Sequence, residues 1–575
     1  MTSSGLEKVA IKAIPERPAV AASESLSEFA VLVGLKAPSL PDDARRCQRA
    51  PIDLVTVLDV SGSMYGEKLW LLKTAVYFII DNLGPSDRLS IVSFSSSAQT
   101  ALPLSNMTDE GRENARRAVH RLYAEGGTNI VYALKMGVEV LEDRSQPNPV
   151  FLSDGCDTCN YSSFSSARSR WDSGEPEYLR LLPFSIFPRN RGVENTGQAT
   201  FPVHTFGFGM DHDPVVMHAI ADASGGTFSF IQSHVMLQDA FACCIGGLLS
   251  VVTQDLCLNL MSASHGVEIT SIPSGRYANE ISMGGSRGVL KIGDLYADEE
   301  KEFLINLSVP SLPIDEDTER KTSLLDMTCS YRDMVSNEMV QIQVELVEIR
   351  RPKSVSSEDM SVNLEVERQR IRLLTLVTIT EAQQMAETGN MAGAQAVLSE
   401  GRSRLYGTAC AQVADPLCMW LDGEMEETGK RMGTTQEYIQ QGRAYALAGI
   451  SSHAYQRAAT RGNNVPGAAA AAPGYAPSAL GYGASARGYA PSGLGYDPPG
   501  CLPFVPVHAS SAPIGYSPSS PGYAPTAPSY GCALPCGNPP SYNPPGYAAY
   551  VTPTMANMVA KSQQQSDPKR VSGNW

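Results

Sequence analysis

The 575 residues are 43% hydrophobic and only 18% charged, with a formal net charge of −15. That apolar share is enough for several packed cores, and the low charge points to a long uncharged stretch. The acidic balance excludes a general nucleic-acid or anionic-membrane surface and leaves room for a local cation site.

The opening MTSSGLEKVAIKAIPERP contains no apolar core of a secretory signal. The apolar stretch FACCIGGLLSVV (241–252) is too short to cross a bilayer. The reading is a soluble, cytoplasmic chain with no membrane partner. The twelve cysteines follow no framework and read as reduced thiols.

Residues 1–49 hold one strand pattern, EFAVLVGLKAP (28–38), stopped by Pro38. IDLVTVL (52–58) is a near-continuous apolar run, as expected of a strand buried on both faces. A helical pattern follows to Leu83 and stops at Gly84-Pro85. RLSIVSF (88–94) is a strand. TDEGRENARRAVHRLYA (108–124) is a helix with Thr108 as candidate cap. GGTNIVYALKMGVEVLED (126–143) is a turn and a helix, and VFLSDG (150–155) ends in a turn. FPVHTFGFG (201–209) is a strand, DPVVMHAIADASGG (213–226) a helix, TFSFI (227–231) a strand and VMLQDAFACCIGGLLSVV (235–252) a helix.

This alternation predicts an α/β domain over 50–252, a doubly wound and mostly parallel sheet with helices on both faces. From 253 to 352, short strands parted by Gly, Ser, Asp and Pro read as a β-sandwich. The strand at 28–38 is assigned to it, because an orphan strand needs a sheet. Residues 353–462 read as antiparallel helices. Residues 463–575 read as a disordered tail. Its tyrosines recur every seven residues at 475, 482, 489 and 496, but Pro and Gly in the repeats forbid a coiled coil.

LDVSGSM (58–64) places one carboxylate and two hydroxyls, Asp59, Ser61 and Ser63, on a strand-to-helix turn. Hard divalent cations take oxygen ligands, and magnesium binds through few carboxylates. Three oxygens need support from other loops on the same edge. Thr128 in EGGTNI and Asp154 in FLSDG are the candidates, because ligands in such folds bind at the carboxyl ends of the strands.

DLVTVLDVSGSM, GGTNI and LSDG, in that order, resemble the von Willebrand factor A domain and its metal-ion-dependent adhesion site. The resemblance implies that Asp59, Ser61, Ser63 and Thr128 ligate or support Mg, with Asp154 acting through water and a partner's acidic residue completing the shell. Mn shares the oxygen preference. Further stretches, among them NLGPSDRLSIVSFSS, SGGTFSFI and GDLYADEEKEFLINLSVP, are similar to plant proteins that pair a RING finger with such a domain and act as ubiquitin ligases. A RING needs eight Cys/His ligands at fixed spacings, whereas this sequence offers one C-x-x-C, Cys156 and Cys159. The apolar run before Asp154 is only Val150–Leu152 after Pro149 and reads as a trimmed central strand.

Other residues carry blander readings. Cys156/Cys159 and Cys532/Cys536 are taken as coincidences. His204 is read as a core or rim histidine, and His212 and His218 as surface residues. GGSRG (284–288) is a hairpin turn. The segment 159–200, on the metal rim, is either a specificity loop or a loose insertion. YSPSSPG and YAPTAPS resemble the RNA polymerase II tail heptad but read as a flexible linker. Enzyme chemistries of the serine-nucleophile and phosphoryl-aspartate types lack their residues. The expected function is non-catalytic, divalent-cation-dependent protein binding in ubiquitin-ligase pathways. The alternative is a ubiquitin-protein ligase or a component of one.

Overall fold

The computed structural model describes residues 7–40, 49–142, 149–154, 179, 181–183, 185–186, 202–210, 212–313, 320–466 and 550–566; for 142, 149–154 and 566 it describes the backbone alone. All of these belong to one compact unit. The segment 159–200, the two C-x-x-C and Cys532/Cys536 pairs and the tyrosine heptads fall wholly or largely outside the described residues.

The first two strands are β1 (Ala10–Pro15) and β2 (Leu26–Lys36). The α/β domain begins with β3 (Asp53–Asp59), α1 (Glu67–Asn82), β4 (Arg88–Phe94) and β5 (Ala98–Asn106). Then come α2 (Asp109–Arg121), α3 (Ile130–Glu142) and β6 (Pro149–Asp154). β7 (Val203–Phe208), α4 (Pro214–Ser224), β8 (Phe228–Ile231) and α5 (Leu237–Leu248) complete it.

Local chemistry sets these boundaries. Thr108 caps α2 by accepting the Gly111 N–H. Asp213 accepts the N–H groups of Val215 and Val216 ahead of Pro214 at the start of α4, and Gly225 ends that helix at φ 84°. α5 is shorter than its apolar run, because Val251 and Val252 belong to the next strand.

These strands form a sheet in the order β8-β7-β6-β3-β4-β5, parallel except for β5. β5 has an exposed, irregular burial pattern and a proline, which hides it from an apolar-run reading. Leu54, Leu58 and Ile91 pack on one face with α1, α2 and α5. Val55, Val57 and Val92 pack on the other with α3 and α4. β6 is not trimmed: Asp53 pairs with Pro149 and Val57 with Ser153, so it runs level with β3.

The β region contains β9 (Val251–Ser262), β10 (Glu268–Ser271), β11 (Ala278–Ser282), β12 (Arg287–Tyr296), β13 (Glu300–Val309), β14 (Arg320–Asp333), β15 (Met339–Gln343) and β16 (Val347–Arg351). One sheet has the order β1-β2-β13-β10. The other runs β11-β12-β9-β14, with β15 and β16 both on β14. Phe29 and Val31 of the first share a core with Leu258 and Leu290 of the second. β2 pairs with β13 from Lys36↔Glu300 to Leu26↔Val309, so this sheet draws on segments either side of the α/β domain. Met283–Gly285 turn between β11 and β12, a hairpin as expected.

The helical region consists of α6 (Leu364–Glu387), α7 (Met391–Tyr406), α8 (Pro416–Arg431) and α9 (Arg443–Tyr455), joined by shorter turns. α9 packs on α4 and β8. The expectation of structureless sequence from 463 onward is corrected at both ends. Arg461–Gly462, read as the end of the helical domain, form β17, an edge strand parallel to β8, and the described residues of the expected tail begin with 463–466 directly after it. Pro553–Ser566 form α10, which packs on α5. These fourteen residues lack the Gly and Pro repeats that precede them, and Pro553 sits at the first helical position, where its missing N–H costs nothing. Among the described residues no helix is long and apolar enough to cross a membrane.

Candidate metal centre

β3 ends at Asp59 on the carboxyl edge of the sheet, where the chain turns through Gly62–Met64 into α1. Asp59 and Ser61 are each 2% exposed. Asp59 Oδ1 accepts the Ser61 N–H at 2.6 Å, and the Ser61 and Ser63 hydroxyls lie 2.9 Å apart. The acid and both hydroxyls therefore form one connected group. Burial pushes the Asp59 carboxyl up to about 6, against the lowering effect of its bonds from Ser61 and the charge of Lys68.

The second loop is tied to the first by backbone. The Gly62 N–H donates to Gly126 O at 3.0 Å, and the Glu125 N–H to Val60 O at 2.8 Å. Gly126 sits at φ 72°, and a Cβ there would lie 3.1 Å from Ser96 Oγ. Ser96 Oγ also accepts the Gly127 N–H at 2.8 Å. Thr128 follows, 3% exposed, directly ahead of Asn129, whose side chain caps α3 by accepting the Tyr132 N–H. The turn after β4 thus clamps the Gly-Gly loop. The sequence does not single out Ser96, because its role depends on a loop about thirty residues away being folded against it.

Asp154 is the last residue of β6, one position past the Val57–Ser153 pair and opposite Phe206 of β7. Its backbone therefore reaches the same sheet edge as Asp59. Asp59, Ser61, Ser63 and Thr128 come together at this edge, and β6 delivers Asp154 to it.

The donor set fits a hard divalent cation: oxygens only, with Asp59, Ser61 and Thr128 buried and Ser63 exposed, and a carboxylate whose ionisation burial disfavours and a cation would restore. A cavity of about 370 Å³ opens on the same edge, lined by Lys68, Met210, Gln232 and His234 among others. Met210 is 62% exposed there.

Residues 53–242 match the model of the von Willebrand factor type A domain. This part of the chain is a von Willebrand factor type A domain. Residues 415–492 match a second model, VWA / Hh protein intein-like. The chain is homologous to Arabidopsis thaliana proteins of this type. It is 31% identical to E3 ubiquitin-protein ligase WAV3 over 75% of this chain and 54% of that protein. It is 32% identical to Probable E3 ubiquitin-protein ligase WAVH2 over 68% and 50%. The chain thus spans about half the length of these curated relatives. The fold is similar to the solved structure of von Willebrand factor type A from Catenulispora acidiphila, with TM-score 0.52, 19% identity and coverage of 75% of this chain and 90% of that one.

The relatives correct one expectation. A protein without enzymatic function was expected because RING ligand spacing is missing from the sequence, but these relatives are named ubiquitin-protein ligases, which are enzymes.

The histidines also need correction. His204 is in the core, as read, with Nδ1 2.9 Å from Thr227 Oγ1. His212 and His218 are not surface residues: both are half-buried, with their rings beside Phe228. The described cysteines 243, 244, 257, 329, 410 and 418 are free thiols.

Proposed function

We propose that this chain serves ubiquitin ligation as a partner-binding component, whose von Willebrand A domain holds a protein through a divalent cation. The observation that carries the reading is the cluster of Asp59, Ser61 and Ser63 tied by backbone to the Gly126–Thr128 loop. Asp59, Ser61 and Ser63 would hold Mg or Mn, with Thr128 and Asp154 in support. The bound ion would supply a Lewis-acidic position for a carboxylate of the partner. This chain's own residues bury Asp59 and Ser61 and fix the hydroxyls beside the acid. Lys68 and His234 line the adjoining cavity, where a second acidic group of the partner would be favoured.

The link to ubiquitin rests on the names of the Arabidopsis relatives and the span they share with this chain. Calorimetric titration of the full chain with MgCl₂ tests the metal step: one saturable site is expected, and none in Asp59→Ala. The partner step is tested by proximity labelling with and without chelator. Ubiquitin-conjugating enzymes or ubiquitylated proteins should be labelled by the wild type in a chelator-sensitive way. A wild type that binds no magnesium, or an Asp59→Ala chain with unchanged labelling, overturns the reading.

A further inference from the structure

α10 stands apart from the rest of the fold. It returns after a long Gly- and Pro-rich segment and seats on α1 and α5 of the von Willebrand A domain. A helix of this length is marginal in water by itself, so its helical state comes from the seat.

The seat is shaped for it. Gly246 and Gly247 lie inside α5, where glycine weakens a helix. A Cβ on Gly246 would lie 2.8 Å from Met555 Cα and 3.1 Å from Thr554 O. One on Gly247 would lie 2.6 Å from Met555 Cε and 2.8 Å from the Tyr296 ring. The two glycines form a slot that lets the backbone of α10 approach closely. Met555, Val559 and Ser562, at helical spacing, are the residues α10 buries.

Polar groups fix its register. Asp239 of α5 accepts the Ser562 hydroxyl at 2.6 Å and the Gln563 amide at 3.0 Å. Lys561 Nζ donates to Asn82 Oδ1 of α1 at 2.6 Å. Just before the helix, the Tyr550 hydroxyl lies 3.0 Å from His453 Nδ1. The segment buries Met555 and Val559, with Val551 and Met558 partly buried against the same core, far fewer side chains than the cores of the sheets contain.

We infer that the α1/α5 surface with its Gly246-Gly247 slot is a helix-binding site whose ligand is the chain's own C-terminal helix. The helix is held in cis and released without unfolding the body. Because Asp239 faces Ser562, negative charge at position 562 is the local change that would expel the helix.

The test uses the full chain with a specific protease site placed within 525–543. After cleavage, the C-terminal fragment is expected to co-elute with the body at micromolar concentration. Excess labelled peptide 550–575 should replace it with saturation at one per chain, while the far-UV spectrum of the body persists. Ser562→Asp should weaken retention at least tenfold, and Asp239→Asn with Ser562→Asp should restore it. Gly246→Leu should abolish retention. A wild-type fragment lost on cleavage, a fragment that never exchanges, a body that unfolds when the fragment leaves, or an uncut chain that is dimeric by swapping α10 would each overturn the inference.

Discussion

Asp59 carries its carboxylate in a place that disfavours charge. Its pKa lies above the ordinary value, so the folded chain binds a proton more tightly than the unfolded one between about pH 4 and 6. Stability from this group is therefore present in acid and lost as pH rises through about 6. At pH 7 without metal, Asp59→Asn should stabilise the chain by about 1–3 kcal/mol in urea unfolding. Added magnesium should raise the wild-type melting temperature and leave Asp59→Asn unmoved. Gly126 makes a second residue-scale case. Alanine at φ 72°, with Ser96 Oγ in the way, should cost about 1–3 kcal/mol. It should also weaken magnesium binding about tenfold or more by shifting Thr128, as read by the same titration. At this scale the sequence was informative. Asp59, Ser61 and Ser63 share one turn, and their spacing is visible. The Ser96 clamp is not, because a serine acquires that role only from what folds against it.

Among the elements, β7 illustrates how burial sets chemistry. Burial pushes the His204 imidazole down to about 3, and its Nδ1 accepts from the Thr227 N–H at 3.2 Å. An imidazole held neutral in the folded state binds its proton only on unfolding, whereas an ordinary histidine titrates near 6.5. Its contribution is thus complete above pH 6.5 and is lost as pH falls from there toward 3. Relative to a chain without this histidine, the urea midpoint should therefore fall between pH 7 and 5, with a slope from this group of at most about 1.4 kcal/mol per pH unit, opposite in sign to that of Asp59. His204→Asn, which keeps an acceptor at the same branch, should flatten that slope even if it lowers stability overall. Buried parallel strands and capped helices were legible as apolar runs, Thr108 and Asp213-Pro214. β5 was not, since an exposed edge strand with a proline has no apolar signature. β6 looked too short because its first pairing residue is Pro149, which still stacks level with Asp53.

Across the whole molecule, the end of α9 plugs into the β region. Lys301 Nζ bonds Glu299 Oε1 and Tyr455 O, each at 2.9 Å, and Arg457 Nε reaches Glu299 at 3.2 Å. Burial raises the Glu299 carboxyl, but Lys301 and Arg457 outweigh it and hold the carboxyl below its usual range. Glu299→Gln leaves two buried cations short of their counter-charge and should cost about 3–5 kcal/mol. Because the seam joins the β region to the helices, tyrosine fluorescence and far-UV dichroism should follow one coincident wild-type transition in urea. By itself, the sequence determined the α/β class and the order of its buried strands and helices, because local periodicity encodes them, and its short motifs pointed to the candidate metal residues. Only the tertiary structure decided that Arg461–Gly462 extend the sheet, that Ser96 fixes the Gly-Gly loop and that α10 sits on Gly246-Gly247. Each of these depends on surfaces far apart in sequence, whose fit no local pattern records.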